Sequence, residues 1–194
     1  MHKIILASSS AVRKKILEDN EIECKVFPSN LDEEEVKKNL LSLKASPELI
    51  SKNLAELKAK KISLKFTEEL VLGADSVIDL EGKLISKPLN RDDAFNILMR
   101  LNGKTHYLIS SVCISKNGIM IWNYTDKAAL TMKNMSELEL KEYLSKIKDE
   151  ALYAYNVYQI EAEGRKLFSK IDGNESTIMG LPIKRIKEYL KIIK

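Results

Sequence analysis

The chain is predicted to fold as an α/β protein, in one unit with room for two lobes. Three observations predict it. Short apolar runs rich in β-branched residues alternate with segments of helical period along the whole length. The 194 residues suffice for one good core but hardly for two independent domains, so 1–194 is read as a single domain. No linker rich in Gly or Pro divides the chain, and no internal repeat or low-complexity segment occurs.

Composition narrows the class. With 44% apolar and only 6% aromatic residues, the core must be built mostly of Leu, Ile, Ala and Val. The net charge of +4 comes from 32 basic against 28 acidic residues spread along the chain. That excess suits an anionic small molecule and lacks the dense basic stripe of a nucleic-acid footprint, so no nucleic acid is expected. The longest apolar runs fall short of the ~20 residues of a membrane span, so no membrane is expected either. Cys24 and Cys113 lie far apart without a C-x-x-C pair, and Met1-His-Lys leads into a short strand rather than a secretory signal. The expectation is a reduced, cytoplasmic protein, in which the sequons at 123–125 and 174–176 are chance matches.

Taken in order, residues 3–7 (K-I-I-L-A) read as a strand, and Ser8-Ser9-Ser10 lead into a helix over 11–19 with Ile16 and Leu17 inward. A strand feeding hydroxyls into a helix start leaves backbone N–H groups converging on one place, an anion site. Arg13 and Lys14 oppose the helix dipole there, which suits a ligand; the alternative is that one serine simply caps the helix. Residues 22–28 alternate and end in proline, a second strand. The acidic cluster Asn30-Leu-Asp-Glu-Glu-Glu35 is either the first turn of the next helix or, through Asp32 or Glu33, a holder of a divalent ion. A long helix is expected over 47–65, with Pro47 in its first turn and Leu49, Ile50, Leu54, Leu57 and Ile62 at helical spacing. Lys58, Lys60 and Lys61 decorate it, most of them solvated and one able to reach a cleft.

Residues 71–88 form the centre of the chain, a hairpin turning at Glu81-Gly82. Asp75 lies inside its apolar run, where a carboxylate costs several kcal/mol unless a cation or hydrogen bond meets it. Lys87 follows twelve residues later, at the end of the hairpin that holds Asp75. The pair either faces one cleft and one phosphate or forms an ion pair at a sheet edge, and this stretch alone does not choose. Asn90 caps a helix through Leu101, ended by Gly103. Gly103-Lys-Thr105 is no P-loop, because position 98 is Leu and the order is helix then strand. Two long strands, 105–115 and 118–132, meet at Lys116-Asn-Gly118. His2 and His106 are the only histidines, so neither a zinc site nor a Ser-His-Asp triad can be assembled. Ser136-Glu-Leu-Glu139 is a capping box for a helix to about 148. A Tyr-rich stretch follows, with Tyr153, Tyr155 and Tyr158 as core or cleft wall. Strands at 166–171 and near 176–180 and a helix after Pro182 complete the chain, the lysines of 187–194 being a solvated face.

Read together, L-A-S-S-S-x-x-R at 6–13, G-A-D-S at 73–76 with K-P at 87–88, L-N-G-K-T-H at 101–106, Q-I-E at 159–161 with Gly164, and G-L-P at 180–182 resemble the Maf family. These are septum-formation-inhibitor-like nucleoside triphosphate pyrophosphatases, and the match runs in order over nearly the whole chain. The resemblance implies a two-lobed α/β fold of the inosine-triphosphatase-like type, a long mixed sheet with a cleft between lobes. It also implies hydrolysis of a nucleoside triphosphate to monophosphate and pyrophosphate with a divalent metal, Mg or Mn, and hints at a homodimer.

Carried over by position, Ser8, Ser10 and Arg13 match the family's phosphate-binding loop, Lys58 and Lys87 its lysines, and Asp75 its catalytic base. Glu33 sits where the family often has an acid, so Glu33 and Asp75 are the candidates to place the metal. Base choice in the family is linked with positions that here hold Val12, Ser76 and Glu161. Because Ala11, Val12, Ser76, Ala162 and Glu163 depart from the family pattern, no subfamily is clearly matched and the preferred base stays open. A second reading is a nucleotide-binding regulator of septum formation that turns nothing over. The joint presence of Asp75, Lys87 and Arg13 favours the enzyme, since binding alone needs no carboxylate beside a polyanion.

Overall fold

The computed structural model describes residues 3–193, with the side chains of 153–155 outside the description. The elements follow as β1 (Ile4–Leu6), α1 (Ala11–Asp19), β2 (Cys24–Val26), α2 (Glu33–Ser42), α3 (Pro47–Ser63), β3 (Leu70–Leu80), β4 (Lys83–Ile85) and α4 (Arg91–Leu101). They continue with β5 (Thr105–Lys116), β6 (Ile119–Met132), α5 (Glu137–Ser145), α6 (Asp149–Tyr155), a 3-10 turn (Glu163–Leu167), β7 (Phe168–Asp172), α7 (Glu175–Ile178) and α8 (Ile183–Ile192). Among the described residues seven strands form one mixed sheet of order β2-β1-β3-β5-β6-β7, with β4 added on β3. The predicted α/β class and long mixed sheet are what is found.

The sheet is interrupted at one informative place. One edge of β3 pairs with β5 from Val71 to Asp79. The other edge pairs first with β1, over Leu70–Leu72, and then with β4, over Ile78–Leu80. Residues 73–77 therefore have no strand partner on that edge among the described residues, and Asp75 is the middle of the gap. The hairpin reversal that makes the gap possible is local: Glu81 and Gly82 both take positive φ, 55° and 79°, and Asp79 Oδ1 accepts from Gly82 N at 2.8 Å.

The core divides at the same point. Ile4, Leu6, Leu17, Leu72, Val112, Ile114 and Ile186 pack together at one end of the long strands. Ile78, Leu80, Leu98, Leu101, Leu108, Leu130, Leu140 and Leu152 pack at the other. Between them β3 and β5 carry Asp75, Ser76, Ser110 and Ser111, all at least half-buried. Polar residues in mid-strand thus lie between the two largest apolar clusters of one continuous sheet.

Three expectations need correction. The segment near 176–180 is helical rather than extended: Asn174 Oδ1 accepts from Ser176 N at 3.2 Å and starts α7, and the β-branched Thr177 and Ile178 that suggested a strand are simply buried. The helix expected to about 148 stops at Ser145, and the Tyr-rich stretch begins with a separate helix, α6. On α3 the inward stripe is Ile50, Ser51, Leu54, Ala55, Lys58, Ala59 and Ile62, whereas Leu49 and Leu57 lie exposed one position round. Tyr158 is buried, while the expectation for Tyr153 and Tyr155 lies outside the described side chains.

His106 is fully buried on β5, with Nε2 2.8 Å from the Tyr158 hydroxyl and Nδ1 unpartnered. Burial lowers its pKa from 6.5 to about 4. The unfolded chain therefore binds the extra proton first, so stability is full above pH 6.5 and falls as the pH drops toward about 4. The loss amounts to about 3 kcal/mol at most. Urea melts at pH 7 and 4.5 are expected to show it for the native chain and a flatter profile for His106→Gln; parallel profiles would count against it.

Candidate active site

A cleft of about 580 Å³ opens at the gap in the sheet. Its lining includes Ser8, Ser10, Val12, Arg13, Glu33, Lys58, Asp75, Ser76, Lys87 and Glu161, so these candidates face the same space, whereas Asp32 does not line it.

Asp75 is placed by the α3–β3 contact. Ser51 and Lys58 stand two turns apart on the inner stripe of α3 and both reach residue 75: Ser51 Oγ donates to the Asp75 carbonyl at 3.1 Å, and Lys58 Nζ to Asp75 Oδ1 at 2.8 Å. The helix can come this close because of Gly73, where a Cβ would lie 2.2 Å from the Ala55 carbonyl oxygen and 2.7 Å from Ala59 N. Glu33 reaches the same ammonium from the first turn of α2, its Oε1 2.9 Å from Lys58 Nζ. Asp32 is instead the cap of α2, accepting from Glu35 N at 3.0 Å, which separates the two acids that the sequence left as alternatives.

The electrostatics follow from burial. Asp75 and Lys58 are each 5% exposed. Burial raises the Asp75 pKa above the usual carboxylate range, with the Lys58 ammonium and Arg13 opposing it and Glu33 adding to it. Asp75 Oδ2 is buried and has no hydrogen-bond partner. Burial also pushes Glu33 up, but Lys58, Lys37 and Lys87 together outweigh it and hold Glu33 below its ordinary value.

Arg13 acts as a clamp. Its Nε donates to the Gly180 carbonyl at 3.0 Å, Nη1 to Ser8 Oγ and the Ala74 carbonyl, and Nη2 to Ser76 Oγ at 3.1 Å. Four of its five N–H groups are thus spent on three separate segments of the chain. Ser8 and Ser10 are engaged too: Ser10 Oγ accepts from Arg13 N, and Ser8 Oγ from Ser10 N. One serine, Ser10, therefore caps α1, and both Ser8 and Ser10 also stand in the cleft wall. Ser76 Oγ lies between Arg13 and Ser110 Oγ at 2.8 Å, so its hydroxyl is used inside the protein. Lys87 and Glu161 are exposed and Val12 is half-buried.

Ser51 and Lys37 also belong here and were not anticipated as site residues, while Tyr158, expected as core or cleft wall, and Gln159 of the Q-I-E motif line the cleft. Ser51 could have been found from its spacing of seven before Lys58, and Lys37 from its spacing of four after Glu33. The irregular segment that carries Tyr158 and Gln159 is placed by distant contacts such as Tyr143 Oη to the Val157 carbonyl at 3.1 Å.

A buried carboxylate with one unpartnered oxygen, basic groups around it and an open cleft can activate a water beside an anionic substrate. The family model described as "Maf-like protein" matches residues 3–193. The chain belongs to the Maf family. A Maf relative from Pelagibacter ubique (strain HTCC1062), named "Nucleoside triphosphate pyrophosphatase", is 73% identical over 192 residues, covering 99% of this chain and 98% of that one. One from Roseobacter denitrificans with the same name is 38% identical, covering 97% and 95%. A "7-methyl-GTP pyrophosphatase" from Rhizobium etli is 36% identical, covering 93% and 91%. Among solved structures, the Ham1 protein of Staphylococcus aureus is similar at a TM-score of 0.48 and 11% identity, over 99% of this Maf chain and 100% of that one. No helix among the described residues is long and apolar enough to cross a membrane.

Proposed function

We propose that this chain is a nucleoside triphosphate pyrophosphatase, cleaving the bond between the α and β phosphates to give a monophosphate and pyrophosphate. The observation that carries this reading is Asp75, a buried carboxylate in the wall of an open cleft with Oδ2 unpartnered. The names of the relatives support the reaction class. Asp75 takes a proton from a water as its oxygen bonds to the α phosphorus; the bond to the bridging oxygen breaks, and pyrophosphate departs with the electron pair. Lys58 and Lys87 supply positive charge around the triphosphate. Arg13 holds the loop of Ser8, strand β3 and the turn at Gly180 in register, so the cleft keeps its shape as the polyanion enters.

Glu33 and Asp75 are the residues that would hold a divalent cation of the magnesium or manganese class. The donor set fits such an ion, which needs only one or two carboxylates and completes its shell with water and phosphate oxygens. Among the described residues no cluster of three His, Cys, Asp or Glu side chains is placed to hold a metal, so water and substrate oxygens would supply the rest of its shell. When bound, the cation supplies neutralisation of the charge that grows on the leaving pyrophosphate.

The test is a panel of natural and modified triphosphates, including 7-methyl-GTP, incubated with magnesium or manganese. Pyrophosphate is expected from at least one of them. Orthophosphate as the first product would assign a different bond, and no release from any would remove the reading.

A further inference from the structure

One ammonium joins both candidate metal ligands. Lys58 Nζ is 2.8 Å from Asp75 Oδ1 and 2.9 Å from Glu33 Oε1, so it uses one oxygen of each carboxylate. The side chain is buried, on a helix that rests directly against Gly73. A cation fixed between two carboxylates repels a second one and occupies one oxygen of each. The charged residues lining the cleft, four basic and three acidic, leave it net positive before any metal enters. A bare divalent ion is therefore disfavoured, whereas a triphosphate reverses the balance and offers the ammonium a new anion.

We propose that Lys58 is a resident cation that keeps Glu33 and Asp75 paired until the triphosphate arrives, so that the divalent cation is taken up with the nucleotide and not before it. This rests on the pyrophosphatase reading of the cleft and extends it to the order of loading. Lys58 thereby has two anionic environments, the carboxylate pair in the free chain and the phosphates in the loaded one. The arrangement also keeps the buried Asp75 carboxylate from facing the half-exposed Glu33 uncompensated.

The test is Mn²⁺ binding without nucleotide, read from the free-ion signal in electron paramagnetic resonance. Lys58→Gln is expected to bind Mn²⁺ at least about tenfold more tightly than the native chain. Lys87→Gln removes the same charge from the cleft and weakens the field on Glu33 but leaves both Lys58 contacts in place, and is expected to raise affinity by less than Lys58→Gln does. Equal affinity in Lys58→Gln and the native chain, or an equal gain in both variants, would overturn the proposal. A second readout needs no variant: the Lys58 ε-methylene resonance of the native chain is expected to stay in place with Mg²⁺ alone and to move when a non-hydrolysable triphosphate is added. A shift with Mg²⁺ alone would overturn the proposal even if Lys58→Gln failed to fold. Pyrophosphate release measured on the same native preparation separates the two levels: release without the affinity gap sinks the loading order alone, and absence of both release and metal binding sinks the reading of the cleft as well.

Discussion

Asp75→Asn is expected to lower pyrophosphate release by about a hundredfold to ten-thousandfold, the range for loss of a positioned general base, and to leave the melting temperature unchanged or higher. The two halves of that result have one cause. Burial raises the Asp75 pKa in the folded chain, so its stability contribution is greatest at pH below the ordinary carboxylate value and declines as the pH rises through the folded one. At neutral pH the charged form is held against that gradient by Lys58 and Arg13. An amide of the same shape removes the desolvation cost, while Lys58 keeps Glu33 as its partner at 2.9 Å. A destabilised Asp75→Asn chain with normal kinetics would mean that residue 75 is a structural ion-pair member and nothing more.

Gly73→Ala is expected to do the opposite, losing stability and activity together. The new Cβ would meet backbone, the Ala55 carbonyl oxygen at 2.2 Å and Ala59 N at 2.7 Å, so no side-chain rotation can relieve it. The helix must retreat from β3, at an overpacking cost of about 1–3 kcal/mol or more. Ser51 and Lys58 retreat with it, and a displacement of about 1 Å at a reacting group costs on the order of a hundredfold in rate. Gly82→Ala is the matched control. Gly82 sits at φ 79° in the hairpin turn with nothing within 4 Å of a new Cβ, so only backbone strain of about 1 kcal/mol is at stake and turnover should persist. If Gly73→Ala melted and turned over like the native chain, the tight α3–β3 contact would not be what aims Lys58.

These two residues also show what was readable in the linear chain. Asp75 announced itself because a carboxylate within an apolar, β-branched run contradicts its surroundings, and Gly73 because the G-A-D-S motif includes it. The strand–helix order was legible wherever periodicity and caps agreed, as for α1, α4 and the Ser136–Glu139 box that opens α5. It failed at α7, where a four-residue helix is too short for periodicity and its Thr and Ile mimic a strand. The cleft itself was not legible from spacing, since it arises where β1 ends and β4 has not begun, a fact of pairing between distant segments. Arg13 carried a similar ambiguity. Its place in the first turn of α1 marked it as unusual, yet its partners at Gly180 and Ala74 lie 167 and 61 residues away.

The central claim is that Asp75 directs a water onto the α phosphorus of a nucleoside triphosphate, and isotope placement tests it most directly. Single-turnover hydrolysis of the best substrate in ¹⁸O-labelled water is predicted to put the label in the monophosphate, with the labelled product nearly lost in Asp75→Asn. Label in the pyrophosphate, or an undiminished yield of labelled monophosphate from Asp75→Asn, would contradict it.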